Sequence, residues 1–183
     1  MRVIAGSCRS MPLATLPGLD TRPTTDRTKE TLFNVLMPYV AGSRFLDLFA
    51  GSGGIGIEAL SRGAAHATFV DNNRKAVRVI EENLQFTKLA DRAEVLCRDA
   101  ALALRALSGR RSFDLIFLDP PYDKGLEKEI LFLLPTLDLA AGDAITVVEA
   151  SLATDFSYLA EAGYRLIKEK CYKNNRHLFL EYR

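Results

Sequence analysis

The sequence is short of cysteine and histidine, nearly neutral in net charge, and without any long apolar run. Cys8, Cys97 and Cys171 are odd in number, widely spaced and never arranged as C-x-x-C. That excludes a disulfide framework and the usual zinc-ligand spacing. His66 and His177 stand apart in the chain, so the commonest general base and metal ligand form no cluster. Each reads as a surface or packing residue, and no metal is expected. The formal net charge of +1 removes any global basic signature. No apolar stretch approaches the roughly 20 residues that span a bilayer, and the first residues lack the continuous apolar segment of a secretory signal. A cytoplasmic chain with no membrane partner is the default expectation. Repeats and low-complexity tracts are also missing. What remains is 183 residues at 48% hydrophobic and 26% charged content, the profile of one soluble globular unit with a sizeable core.

The chain is organised around Arg44–Gly56, RFLDLFAGSGGIG. Phe45, Leu46, Leu48 and Phe49 make a short, almost continuous apolar strand of the kind buried on both faces of a parallel sheet. A glycine turn carrying Gly51, Gly53, Gly54 and Gly56 follows, with Asp47 just before it. Glycines there let the backbone approach a ligand closely. Before this, residues 2–16 predict a small hairpin or arm, then a Pro-, Gly- and Thr-rich loop over 17–25. A helix over 27–39 follows, capped by Thr25 or Asp26, with Thr31, Leu32, Val35, Leu36 and Tyr39 near one stripe. After the glycine turn, helices over 55–62, 74–88, 100–107, 126–134 and 156–161 alternate with strands over 67–70, 94–97, 113–118 and 144–149. Two final strands, 164–170 and 177–182, predict a hairpin adding an antiparallel strand to one edge. The expected fold is α/β, a mostly parallel doubly wound sheet with helices on both faces.

Ligands of such sheets bind at the carboxyl ends of the strands, where Asp47, Asp71, Asp99 and Asp119 all stand. Gly51, Gly53 and Gly56 satisfy the G-x-G-x-x-G pattern, shared by dinucleotide sites and sites for S-adenosylmethionine. Asp71 lies 20 positions after Gly51, suited to accepting from ribose hydroxyls, with a helix N-cap as the bland alternative. Asp99 suits an adenine amino group, again with an N-cap as its alternative. Asp119-Pro120-Pro121-Tyr122 discriminates. An exocyclic amine on a base is a poor nucleophile because its lone pair is delocalised into the ring. A carboxylate and a proline-fixed carbonyl accepting from both N–H groups hold that lone pair toward an electrophilic methyl group, and Tyr122 can stack on a flat base. Hydride transfer has no use for this element.

Together with LDLFAGSGGIGIEALSRGA, this exit resembles the pattern of S-adenosylmethionine-dependent amino-methyltransferases. RVIAGSCRSMPL and LDTRPTTDRTKETLFNVL narrow the resemblance to the bacterial 16S ribosomal RNA guanine-N2 methyltransferase family. It implies a class I methyltransferase fold of seven strands with the last antiparallel, an S-adenosylmethionine cofactor, and methylation of the N2 amine of one guanine. It assigns Asp47, Phe49, Gly51, Ser52, Gly53, Asp71, Asn72 and Asp99 to the cofactor. Asp119, Pro120 and Tyr122 receive the catalytic role, with Pro121 beside the target guanine. Arg22, Thr24, Thr25, Asp26 and Arg27 would line the entrance. Arg2, Arg9 and the basic C-terminus would touch RNA phosphates, since residues 1–29 carry five basic side chains against two acidic, and residues 165–183 six against two. The arm has Ala5, Ser10 and Met11 where the family tends to glycine and arginine, and 172–176 lacks the family's glycine-containing turn. The implied partner is 16S ribosomal RNA within a partly or fully assembled small subunit, met by a monomer whose residues 1–25 form the arm and 26–183 the methyltransferase domain. The same exit also serves amino-methylation of DNA adenine or cytosine or of protein glutamine, and a silent S-adenosylmethionine- or RNA-binding assembly factor is the rival from another class; the arm argues against the former, intact Asp119 and Tyr122 against the latter.

Overall fold

Apolar runs rich in Val, Ile, Leu and Phe form the central strands of this protein. A computed structural model of the chain describes residues 1–16 and 26–183. The strands are β1 (Arg44–Leu48), β2 (His66–Asp71), β3 (Ala93–Cys97), β4 (Phe113–Leu118), β5 (Ala140–Ser151), β6 (Tyr164–Cys171) and β7 (Asn175–Tyr182). The helices are α1 (Asp26–Val40), α2 (Gly54–Ser61), α3 (Arg74–Thr87), α4 (Ala100–Leu107) and α5 (Leu126–Leu133). One seven-stranded sheet results, in the order β3-β2-β1-β4-β5-β7-β6. β1 to β5 pair in parallel, while β7 runs antiparallel to both its neighbours.

The expected architecture holds, with differences that have physical causes. The reversed strand β7 lies inside the sheet and β6 takes the edge, because a tight hairpin lets β7 double back between β5 and β6. β7 is the one buried of the two, through His177, Leu178, Phe179 and Leu180. β5 is longer than expected, reaching back to Ala140 through a register shift against β4. The helix expected over 156–161 shrinks to a 3-10 turn, Ser157–Leu159. The N-terminal hairpin reduces to one bridge, Arg2 to Pro12, with flanking backbone bonds between Val3 and Met11 and between Ser10 and Val3. On α1 the buried stripe is Lys29, Leu32, Phe33, Leu36 and Val40. Thr31 and Val35 are half-buried and Tyr39 faces out, a rotation enforced by the buried partners that Lys29 finds.

Alternation along the strands splits the core in two. Phe45, Phe69, Leu115, Phe117, Val147 and Phe179 point toward α1, α2 and α3. Leu46, Leu48, Val70, Ile116, Leu118 and Val148 point toward α4 and α5. Residues 1–16 lie against α2 and α3: Glu58 accepts from the Ile4 and Ala5 amides, Ser61 Oγ donates to the Ala5 carbonyl, and Asn83 bonds the Ala14 backbone. The loop over 17–25 expected from sequence, with its Thr25 cap, lies outside the described residues. No helix among the described residues is long and apolar enough to cross a membrane.

Candidate active site

The strand order reverses between β1 and β4, and a cavity of about 650 Å³ opens there at the carboxyl ends of the strands. One end is built by the turn after β1. Phe49 leaves the strand with φ of 63°, a left-handed conformation unusual for an aromatic residue and typical of a constrained site. Gly51 follows at φ of 56°, and the position a Cβ would occupy is open. Its amide donates to Asp71 Oδ2 at 2.9 Å, while Asp71 Oδ1 accepts from the Asn73 amide at 2.8 Å. A carboxylate has about four lone-pair directions, so Asp71 keeps capacity to accept from a ligand hydroxyl. The cap of α3 is Asn73, not Asp71. Asp99 does cap α4, accepting from the Leu102 amide, and also lines the cavity. Both readings of Asp99 are therefore compatible.

Not every glycine of the turn faces the cavity. Gly51, Ser52 and Gly54 line it, whereas Gly53 packs toward Ile57 and Ile80. A Cβ on Gly56 would sit 2.3 Å from the Phe69 ring, so that glycine serves helix-to-sheet contact. Asp47 is buried beneath the turn, and its Oδ2 accepts from the Gly56 amide at 2.9 Å. Desolvation pushes its pKa up to about 7, with the nearby Asp71 charge adding to the rise and the Gly56 bond opposing it.

The other end is the exit from β4. Asp119, Pro120, Pro121 and Tyr122 all line the cavity beside Phe117, Lys124 and Leu126. Burial raises the Asp119 pKa well above the ordinary carboxylate value, and the charges of Glu149 and Asp47 raise it further. Tyr122 is 42% exposed, and its hydroxyl donates to Glu149 Oε1 at 3.3 Å. Desolvation and then the Glu149 and Asp119 charges hold that phenol well above its usual pKa.

Three contributors were not legible as site residues from sequence. Glu149, at the end of β5, lines the cavity. His177, read from sequence as an isolated surface or packing residue, is fully buried and bonds Glu149 Oε2 through Nε2 at 2.8 Å, while its Nδ1 meets the Tyr172 hydroxyl at 3.1 Å. Lys29 also reaches the wall; its Nζ donates to the Arg2 carbonyl at 2.6 Å and pairs with buried Glu58 at 3.1 Å. Burial lowers the Lys29 pKa, with Glu58 opposing the shift. The only sequence signal for these was a lysine on an otherwise apolar helix stripe and a Glu closing the apolar run of β5.

Of the remaining expected positions among the described residues, one borders this cavity. Asn72 lines it. Arg2 is exposed and ion-paired with Asp26 at 2.7 Å, and Arg9 and Arg27 are exposed. Arg22, Thr24 and Thr25 lie outside the described residues. In the basic C-terminus, Arg165 pairs with Glu181 and Arg176 with Glu169. Met1, Thr15 and Leu16 reach the cavity from the β1–β3 half of the sheet, and Asn175 bonds Glu149 from the β6–β7 half.

The family model described as conserved hypothetical protein 95 matches residues 1–181. Over 150 residues, 81% of this chain and 82% of the relative, the sequence is 47% identical to "Putative rRNA methyltransferase YlbH" of Bacillus subtilis. It is 38% identical to ribosomal RNA small subunit methyltransferase D of Haemophilus influenzae over 171 residues, 93% of this chain and 88% of that one. Among solved structures, "Putative methyltransferase yhhF" from Escherichia coli superposes with a TM-score of 0.86 at 35% identity, covering 100% of this chain and 97% of the other. Matched along nearly its whole length in sequence and in fold, the chain belongs to the ribosomal RNA small subunit methyltransferase D family of class I methyltransferases.

Proposed function

We propose that this protein transfers a methyl group from S-adenosylmethionine to the N2 amine of one guanine in 16S ribosomal RNA of the small subunit. The observation that carries the reading is one cavity bounded at one end by the open Gly51 turn with Asp71 and at the other by Asp119-Pro120-Pro121-Tyr122. The chain's relatives named as acting on ribosomal RNA supply the polymer.

The residues present fit the cofactor. Gly51 offers an approach unobstructed by any Cβ, Asp71 retains accepting capacity for ribose hydroxyls, and Asp99 and Asn72 edge the same space. Phe49 and Ser52 complete that end, with Asp47 and Gly53 supporting the turn from beneath. When bound, S-adenosylmethionine supplies an activated methyl group on a sulfonium. The chain's own work is then positioning and charge placement. Asp119 and the Pro120 carbonyl accept from the two N–H groups of guanine N2 and aim its lone pair across the cavity. Pro121 and Tyr122 support the flat base, which must be looped out or flipped to arrive. As the N–CH₃ bond forms and the S–CH₃ bond breaks, its electron pair staying on sulfur to leave neutral S-adenosylhomocysteine, the amine becomes acidic, and Asp119, a stronger base than an ordinary carboxylate because of its burial and its acidic neighbours, accepts the proton. Arg2, Arg9, Arg27 and the basic C-terminal hairpin hold phosphates, with Arg22, Thr24, Thr25 and Asp26 at the entrance. An assembled or assembling subunit presents the base, and the protein acts as a cytoplasmic monomer.

The test uses small subunits from cells lacking the protein. Incubation with purified protein and radiolabelled-methyl S-adenosylmethionine, followed by mass mapping of the RNA, should locate one N2-methylguanine; label on another base, on protein or nowhere rejects the reading. Faster modification of protein-free RNA than of the particle would reject the subunit as substrate.

A further inference from the structure

We infer that Glu149 is a specificity residue that selects guanine by accepting a hydrogen bond from its N1–H while Asp119 holds the N2 amine. The inference rests on the functional reading above and adds to it what the second wall of the cavity recognises.

The placement follows from strand register. Leu118 pairs with Val148, so Asp119 and Glu149 are the next residues on neighbouring parallel strands. Both line the cavity. Adjacent N1–H and N2–H groups on the guanine edge form a donor–donor pair, which two neighbouring carboxylates match. Adenine offers one donor and an N1 acceptor, whose lone pair a carboxylate repels.

Glu149 is held as a recognition group would be. It pairs across the sheet with His177, whose Nε2 lies 2.8 Å from Oε2. The Tyr172 hydroxyl, 3.1 Å from His177 Nδ1, steadies the ring from the far side. Asn175 and the Tyr122 hydroxyl both donate to Oε1. Three bonds leave one lone-pair direction of the carboxylate, on Oε2. Tyr122 is thereby tied to the same carboxylate that reads the base edge. The divergent 172–176 turn supplies two of the anchoring residues, Tyr172 and Asn175.

Glu149→Gln keeps the volume and can keep the network: the amide oxygen still accepts, and its NH₂ donates to His177 Nε2 once the ring takes the other tautomer. The experiment compares subunits reconstituted with guanine or with 2-aminopurine at the mapped target. 2-Aminopurine retains the C2 amine but carries an N1 lone pair and no N1–H. Wild-type protein should methylate guanine faster, and Glu149→Gln should shrink the guanine-to-2-aminopurine rate ratio roughly tenfold or more. A structural role alone would slow both substrates and leave the ratio unchanged, which overturns the inference while the functional reading stands. Wild-type protein that methylates neither substrate overturns both. Should Glu149→Gln fail to melt cooperatively, binding decides: wild-type protein must hold guanine-containing subunits more tightly than 2-aminopurine ones, which keep the C2 amine and lack N1–H, and equal binding overturns the inference.

Discussion

Asp119 and Asp47 are both buried carboxyl groups at strand ends, yet they answer to different partners. Asp119 stands beside Glu149 and Tyr122 at the acceptor end, whereas Asp47 holds the Gly56 amide beneath the donor turn. Asp119→Ala is expected to fold, to bind S-adenosylmethionine by calorimetry, and to lose about a hundredfold or more in methyl transfer; a wild-type rate removes Asp119 from the mechanism. The wild-type rate should rise with pH through an inflection well above the ordinary carboxylate range, because Asp119 must be ionised to accept a proton. The pKa of Asp47 is raised to about 7 in the folded state from 3.8, so the native state binds the extra proton and stability falls as pH rises between those values. Asp47→Asn, which still offers an oxygen to Gly56, should melt near wild type at pH 4 and be more stable than wild type at pH 8, by roughly 2–4 kcal/mol. Thermal melts at the two pH values check the sign.

At the scale of elements, the glycine turn and α1 each carry more than one task. The turn gives Gly51 to the cavity and Gly56 to the contact between α2 and β2. Gly56→Ala should cost about 1–3 kcal/mol in denaturant unfolding, because Phe69 must shift to admit the methyl group. The α1 stripe delivers Lys29 into a buried cluster with Glu58, Arg62 and the Arg2 carbonyl, and so fastens residues 1–16 beside the cavity. Lys29→Met leaves Glu58 with Arg62 and two amides, so a loss of about 2–4 kcal/mol is expected, with faster amide exchange at Ile4 and Ala5. Most element boundaries were legible from the spacing of apolar residues: α4 and β4 coincide with the sequence reading. The rotated face of α1 was not, because hydrophobic periodicity cannot register a lysine whose counter-charge comes from α2. The place of β7 inside the sheet was also hidden, since alternation within two neighbouring strands does not say which of them takes the edge.

Over the whole molecule, the net charge of +1 conceals two basic ends, five basic against two acidic side chains over 1–29 and six against two over 165–183. Binding to small subunits should therefore weaken as salt rises, and Arg9→Ala should reduce the log–log salt slope by about one if this exposed side chain meets a phosphate. An unchanged slope in a binding titration would remove Arg9 from the interface. Local order in the chain determined much on its own: strand–turn–helix alternation, carboxylates closing successive strands, and the rigid acceptor exit Asp119-Pro120-Pro121-Tyr122. These depend on near-neighbour spacing, which a sequence displays directly. Only the tertiary structure brought Tyr122 to Glu149 of β5, Glu149 to His177 of β7, which Tyr172 of the β6–β7 turn also bonds, and Lys29 to Glu58. Those contacts join residues 27 to 29 positions apart, apart from the local Tyr172–His177 link. Their partners are set by sheet order and cross-strand register, which arise only when the whole sheet assembles.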